Sequence, residues 1–270
     1  DEGRYGFHHI HAEGRETQPR LLDEGEYKPI EWSRLPELLD LRLRQTGRLA
    51  AVLSPHLTVE DAYLLAKYLR SIDDNAVLAL GPIPTDGEDE RFKNGFTIRA
   101  EKCPNRRGVE KVVQHFMQGA VDFDNLLTKI EDGHIDGLWV AGGYKTNWVE
   151  TETASRFDGL KLLIVQDLFA SPLWDRADFH LPAAAFAERE GSFVNIDDRL
   201  QSFTWAVRAP AGATQEARLA WRLLNEAGMY NGRRALSQLA ADIAYFSAAS
   251  EIVPNTGIDL KTNLLAEAGA

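Results

Sequence analysis

Four stretches of this chain bring together residue types that do chemistry in proteins. His8, His9 and His11 cluster near the start. A metal site wants converging imidazoles with acidic or thiol partners. Their spacing fits neither HExxH nor a zinc finger, and a polar terminal segment is the favoured reading. Cys103 sits in Glu101-Lys102-Cys103-Pro104-Asn105-Arg106-Arg107-Gly108. The neighbouring cations could lower a thiol's pKa, but no His stands in a recognisable motif around it, so an ordinary cysteine is expected. Gly142-Gly143-Tyr144, with Lys145 and Asn147 after it, comes straight behind an apolar run. A glycine turn there can bring backbone N–H groups to a phosphate, yet GxGxxG and GxxxxGK[ST] are both absent, so a plain turn reads equally well. The densest polar segment is Glu188-Arg189-Glu190-Gly191-Ser192-Phe193-Val194-Asn195. Taken alone it is a helix C-terminus, with Gly191 at C′ and a strand behind it. No nucleophile–base pair or paired-carboxylate arrangement can be read from local spacing.

The elements that must position these residues show a strand–helix alternation. Arg20–Leu22 and Tyr27–Trp32 flank the polar turn Asp23-Glu24-Gly25-Glu26 and predict a hairpin. Ser33 is placed as an N-cap, Leu35, Leu38, Leu39 and Leu43 form one helical stripe, and Gly47 stops it. Leu49–Leu53 is a continuous apolar run suited to a strand buried on both faces. Thr58-Val59-Glu60-Asp61 is a capping-box variant with Asp in place of Glu. Strands are expected at 76–80, 137–141, 161–166 and 178–181, with an exposed loop over 81–93. Helices are expected over 109–119, 123–132, 148–157, 215–224 and 233–249. The fold class is therefore α/β, a doubly wound, mostly parallel sheet with helices on both faces, a small N-terminal hairpin and C-terminal helices. The division is 1–47 for the hairpin and helix, 48–213 for the Rossmann-like α/β domain, and 214–270 for C-terminal helices and tail.

Composition narrows the function classes. The 270 residues hold 30 Lys+Arg against 41 Asp+Glu, a formal charge of −11. That balance argues against a general nucleic-acid binder, whose affinity comes from neutralising phosphates. A single cysteine excludes an intrachain disulfide and an Fe–S cluster built from this chain alone. No stretch approaches the roughly 20 apolar residues of a membrane span. The missing initiator Met suggests a piece of a longer protein.

One segment is distinctive in context. Ala177 to Asn195, ADFHLPAAAFAEREGSFVN, closely resembles the ADVVLPAAAFAEREGTFVN stretch of molybdopterin oxidoreductases, nearest to those of the G-subunit kind in bacterial NADH-quinone oxidoreductase (respiratory complex I). Arg199-Leu200-Gln201, Ala209-Pro210-Ala211-Gly212 and Trp221-Arg222-Leu223-Leu224 resemble the next segments of that family, and Thr58 to Lys67 is similar to its TxEExYLLxK. Asp1-Glu2-Gly3-Arg4-Tyr5-Gly6-Phe7 looks like the family's C-D-x-G-R-[FY], whose Cys is the last ligand of a [4Fe–4S] cluster. The chain would then begin one residue after that Cys.

The resemblance implies an electron-transfer subunit relaying electrons from NADH towards quinone. The departures imply that this domain is degenerate. The second inserted domain and the C-terminal barrel look absent. No thiol stands at the expected molybdenum-ligand position near Gly81-Pro82-Ile83-Pro84-Thr85, where Asp86 is a weak substitute, and Glu2 reverses the charge of a common Lys. The expectation is a structural domain with no cofactor of its own, no catalytic residues and no metal. Its [4Fe–4S] clusters would belong to a missing N-terminal region or a partner. Should pterin contacts survive, Gly142, Gly143, Asn147, Gly191, Ser192 and Asn195 are the candidates. Expected partners are the iron–sulfur domain, anchored through Arg4 and Arg15, and other peripheral-arm subunits, with no nucleic acid and no membrane insertion. The expected location is cytoplasmic, peripheral to the inner membrane. Two other readings stand: a fragment of a molybdopterin-guanine-dinucleotide oxidoreductase of formate-dehydrogenase type, and a non-redox assembly protein.

Overall fold

The computed structural model describes residues 6–117 and 122–261. Asp1 to Tyr5, with Glu2 and Arg4, and the tail beyond Lys261 lie outside the described residues. β1 (Arg20–Asp23) and β2 (Glu26–Pro29) form the hairpin. Its two turn residues, Glu24 and Gly25, both have positive φ, 52° and 84°, which a two-residue connection of this twist requires. α1 (Leu35–Thr46) comes next, burying Leu35, Leu39 and Leu43. Ser33 does not cap it. Residues 32–34 make a turn first, closed by Arg34 N–H to the Glu31 carbonyl at 3.0 Å, and Arg34 stands at the N-cap without a side-chain bond.

The main sheet holds seven strands. β3 (Leu49–Leu53) leads through α2 (Val59–Ile72) to β4 (Val77–Leu80). A small hairpin, β5 (Glu90–Arg91) with β6 (Thr97–Ile98), interrupts the expected loop. Then come α3 (Arg106–Met117), α4 (Phe123–Glu131), β7 (Gly137–Ala141), α5 (Thr151–Ser155), β8 (Leu162–Asp167) and β9 (Phe179–Pro182). The strand order is β2-β1-β9-β8-β7-β3-β4, with β9 to β4 mutually parallel and the hairpin joined antiparallel to β9. α5 is only one short turn and a half of the helix expected over 148–157.

The continuous apolar runs form strands because each face has its own core. Ala51, Leu53, Trp139, Ala141, Leu162 and Ile164 face the core under α1, α2 and α3. Ala50, Val52, Leu138, Val140, Leu163 and Val165 face the one under α4 and α5. The alternation is the period of two of an extended chain.

A second sheet, β10 (Gly191–Val194), β11 (Arg199–Phe203) and β12 (Ile258–Asp259), is antiparallel. α6 (Glu216–Leu223) and α7 (Gly232–Asp242) pack on α2. The helix expected to run to residue 249 breaks at Ile243, which is extended (φ −118°, ψ 109°), and continues as 3₁₀ turns.

The N-terminal segment is held by the turn before α6. The Trp32 indole N–H donates to the Gly212 carbonyl at 2.9 Å. A Cβ on Gly212 would sit 1.4 Å from the Thr17 carbonyl oxygen. Backbone, not a flexible side chain, would have to move. Gly212→Ala is therefore expected to destabilise the domain by about 1–3 kcal/mol, in the range of overpacked sites, read as a lowered thermal midpoint. An unchanged midpoint would mean that the contact between these two segments is not maintained.

Candidate functional site

The parallel strands, taken in chain order, lie 2-1-3-4-5. The order in which successive strands are added reverses across the parallel pair β3 and β7, and ligands in open α/β sheets bind at the carboxyl ends beside such a switch. Ser54-Pro55-His56 leaves β3 there, Gly142-Gly143-Tyr144 leaves β7, and Leu168 comes directly after β8. A cavity of about 510 Å³ opens between them, lined by His56, Gly143, Lys145, Leu168, Ala184 and Arg189, with His9, Phe186 and Cys103 at its sides. The His56 imidazole is pushed down to about 3, first by burial and then by the positive charges of Lys145, Arg189 and His9. It is neutral at pH 7, in a positive potential. Burial and the adjacent Glu101 carboxylate push the Cys103 thiol up to about 12, so it is protonated. Arg106 pulls the thiol the other way, but less, and its guanidinium bonds Glu101 and Glu110.

The glycine turn after β7 meets an internal carboxylate. Asp167, at the end of β8 and 2% exposed, accepts Gly143 N–H at 2.8 Å, Tyr144 N–H at 3.2 Å and Leu168 N–H at 2.8 Å on one oxygen. Its other oxygen accepts the Trp148 indole N–H at 2.9 Å. Burial raises its carboxyl to about 6, and these four donors hold that rise down. Gly143 takes φ +83°, and a Cβ on Gly142 would lie 2.3 Å from Asp167 Oδ2. The glycine pair is thus what lets the turn close over the carboxylate.

Below the cavity lies a network of buried ionisable groups. Arg189 is 2% exposed and pairs with Asp61 at 3.0 Å and Glu216 at 3.2 Å. Glu216 sits in salt-bridge range, but its oxygens meet no hydrogen-bond donor. Glu60 receives Ser192 N–H at 2.7 Å and contacts its hydroxyl at 2.8 Å. Burial is the main force raising both Glu60 and Glu216 to about 8. Burial thus opposes the charged form of both glutamates, and the carboxylate hydrogen-bonded directly to the Arg189 guanidinium is that of Asp61, at 3.0 Å.

Residues 117–226 match the family model for molybdopterin oxidoreductases. This stretch, less than half of the chain, is similar to a molybdopterin-oxidoreductase domain. Among curated relatives, the alpha subunit of NADPH-Fe(3+) oxidoreductase from Geobacter sulfurreducens is 31% identical over 135 residues, covering 49% of this chain and 15% of that protein. The G subunit of NADH-quinone oxidoreductase from Shewanella oneidensis is 35% identical over 118 residues, 40% of this chain and 13% of the relative. The alpha subunit of F420-dependent formate dehydrogenase 1 from Methanococcus maripaludis is 38% identical over 69 residues, 26% of the chain and 10% of the relative. The matched stretches therefore span only 10% to 15% of these relatives' own length.

Within this matched stretch the six candidate contacts separate. Gly143 lines the switch-point cavity, and Gly142 sits behind it against Asp167. Asn147 is exposed on the loop beyond. Gly191 and Ser192 line a different cavity, with Glu60 and Glu190. Asn195 shapes the β10–β11 turn, its side-chain oxygen accepting Asp197 and Arg199 N–H. Gly191 is the first residue of β10 rather than a helix C′: only a 3₁₀ turn, Phe186–Glu188, precedes it. Arg15 does not reach outward as an anchor. It is 8% exposed and bonds Glu188 through both terminal nitrogens, at 3.0 and 2.8 Å. Local spacing passes over His56, Asp167 and Glu216. Asp167 ends an apolar strand directly across from a glycine pair, the one signal that could have picked it out. Among the described residues no group of three or more His, Cys, Asp and Glu is placed to hold a metal ion.

Asp167→Asn replaces one acceptor with an NH₂ that faces donors already in place. It is expected to cost about 1–3 kcal/mol and to shift the Trp148 emission, measured by denaturant titration and fluorescence. Glu60 and Glu216 are raised in the folded state relative to about 4.5 unfolded. The folded chain then holds protons that the unfolded chain has released between pH 4.5 and 8, so stability falls across that window and levels above it. Glu60→Gln with Glu216→Gln mimics the protonated acids. It should flatten the fall by up to about 1.4 kcal/mol per pH unit for each group. A slope unchanged in the double variant would contradict the assignment.

Proposed function

We propose that this chain is a cofactor-free structural domain of a larger electron-transfer subunit, of the kind found in the G subunit of NADH-quinone oxidoreductase. The observation that carries this reading is Asp167. The amides of Gly143 and Tyr144, which at a switch point would face a ligand phosphate, already bond a buried carboxylate. A phosphate brought to the same donors would meet that carboxylate's charge.

The residues fit a molybdenum-bearing pterin dinucleotide poorly on other grounds too. The cavity, at about 510 Å³, lies in the range that takes one drug-sized ligand, not two linked pterin dinucleotides. Its one thiol, Cys103, is turned to the Glu101 carboxylate, to which it donates at 3.4 Å. The chain positions after β4 are Gly81 and Pro82, and Asp86 is exposed, with its backbone N–H engaged by Ala100. The domain's contribution would be packing: it would carry no redox centre itself and would brace an iron–sulfur domain and neighbouring subunits of the peripheral arm. Such an assembly would work on the cytoplasmic side, bound to the membrane through other subunits. Among the described residues no helix is long and apolar enough to cross a membrane.

The positive cavity favours a second reading, a fragment of a formate-dehydrogenase-type enzyme that binds an anionic cofactor near His56 and Lys145. One experiment separates the two. The full-length protein is purified with its partner subunits and assayed for molybdenum, tungsten and acid-released guanine nucleotide. The expected result is no stoichiometric metal or nucleotide, with NADH-to-quinone electron transfer retained. Stoichiometric metal and nucleotide would establish the second reading.

A further inference from the structure

The residues between β4 and α3 form an ordered arm. Its base is closed by Lys102 N–H to the Pro84 carbonyl at 2.8 Å and Asp86 N–H to the Ala100 carbonyl at 2.9 Å. Asp89 ties the two sides together through Ala100 N–H and the Arg99 guanidinium. The tip is closed by Phe92 N–H to the Phe96 carbonyl at 2.8 Å and by Asn94, whose side chain accepts Phe96 N–H. Six backbone or side-chain ties therefore hold a segment that buries almost nothing. Phe92 is 42% exposed, Phe96 61% and Ile98 43%, and Ile83 beside the base is 38% exposed. The two phenyl rings lie 5.9 Å apart, touching each other over solvent. A hairpin of two ladder pairs is marginal in water, and clustered exposed aromatics on an ordered element mark an interface.

The charges on the arm are segregated. From Arg91 to Ile98 there are two cations, Arg91 and Lys93, and no carboxylate, in a chain of net −11, while Arg99 pairs with Asp89 at the base. Asp86, Glu88, Asp89 and Glu90 sit at the base. We propose that this arm, Pro84–Lys102, is a docking element that inserts its aromatic tip, Phe92 and Phe96, into an apolar recess rimmed by carboxylates on a different subunit of the same oxidoreductase. The proposal rests on the reading of the chain as part of a multi-subunit enzyme. Charge complementarity selects the occupant. A basic tip complements an acidic protein rim, while the four carboxylates at the base would be repelled by the continuous negative surface of an anionic bilayer or a nucleic acid. The arm also runs directly into the mouth of the switch-point cavity, since Ile98, Arg99, Lys102 and Cys103 line it. A partner on the arm would therefore cover the cavity.

The test uses the assembled enzyme. Phe96 is replaced by the photo-cross-linker p-benzoylphenylalanine, and in parallel Phe92→Ser/Phe96→Ser and Arg91→Glu/Lys93→Glu are made. Because these side chains are exposed, the thermal midpoint of each variant is expected to match the parent, which separates lost docking from lost folding. The expected result is a light-dependent adduct to another subunit, mapping to an acidic surface, with yield falling as salt rises. Both double variants should retain neighbouring subunits about tenfold less or worse, the scale of losing one anchoring aromatic. A cross-link to a second copy of this chain, capture by anionic vesicles at equal salt, or wild-type recovery of all subunits by both variants would each overturn it. If partner subunits copurify equally with parent and variants, only the arm proposal fails. If the parent purifies with no partner at all, the reading of the chain as an assembly's domain fails with it.

Discussion

The Asp61 carboxylate is the point on which this architecture converges. It accepts Thr58 N–H at 3.0 Å and the Thr58 hydroxyl at 2.7 Å, completing the capping box that starts α2. It pairs with Arg189 at 3.0 Å and accepts Ala217 N–H at 2.8 Å, in the first turn of α6. One side chain thus satisfies orphan amides of two helices and neutralises a guanidinium that is 2% exposed. Each bond alone is worth about 1 kcal/mol. Their value together is larger, because removing the shared partner would leave a cation buried without compensation. The shorter Asp, where a capping box more often has Glu, keeps its head close to the helix start and within reach of both α6 and Arg189.

The same logic explains which features are legible in the residues and which are not. β3, β7 and β8 are legible because burial on both faces leaves a continuous apolar run, and the order of those runs with intervening helices implies a doubly wound sheet. Gly25 announces the hairpin turn. Thr58 and Asp61 announce the start of α2, since a cap is a local event. The misreadings are also local events with weak signals: Ser33 is a good capping residue, but it lies inside a turn closed by Arg34 N–H on the Glu31 carbonyl, and the helix starts at Leu35. The 233–249 stretch keeps its helical pattern past Ile243, where burial of Ile243, Tyr245 and Phe246 in the main core decides the backbone instead.

The polar site is mostly illegible because its partners are far apart in the chain. Arg189 and Asp61 are separated by 128 positions, Ser192 and Glu60 by 132, and Arg15 and Glu188 by 173. No periodicity or spacing rule spans such distances. Asp167 is expected just outside its strand, as the residue after an apolar run, and nothing local says that its side chain turns back under the glycine pair of another strand. Gly142 and Gly143 read as a turn able to approach a phosphate. In the structure the Gly143 and Tyr144 amides bond the Asp167 carboxylate, which lies on another strand.

The segment from Glu188 to Ser192 gains its meaning from these long-range bonds. Glu188 holds Arg15 of the N-terminal segment. Arg189 reaches Asp61 of α2 and Glu216 of α6. Glu190 accepts Gly232 N–H at the start of α7. Gly191 leaves the space that a Cβ would take 2.7 Å from Thr58, and Ser192 bonds Glu60. Five consecutive residues therefore fasten the N-terminal segment and three helices to one strand. A motif of this kind is required for the fold to close whether or not a ligand is bound above it. The segment secures the floor of the cavity through bonds that need no ligand, while the adjacent glycine turn closes over the Asp167 carboxylate.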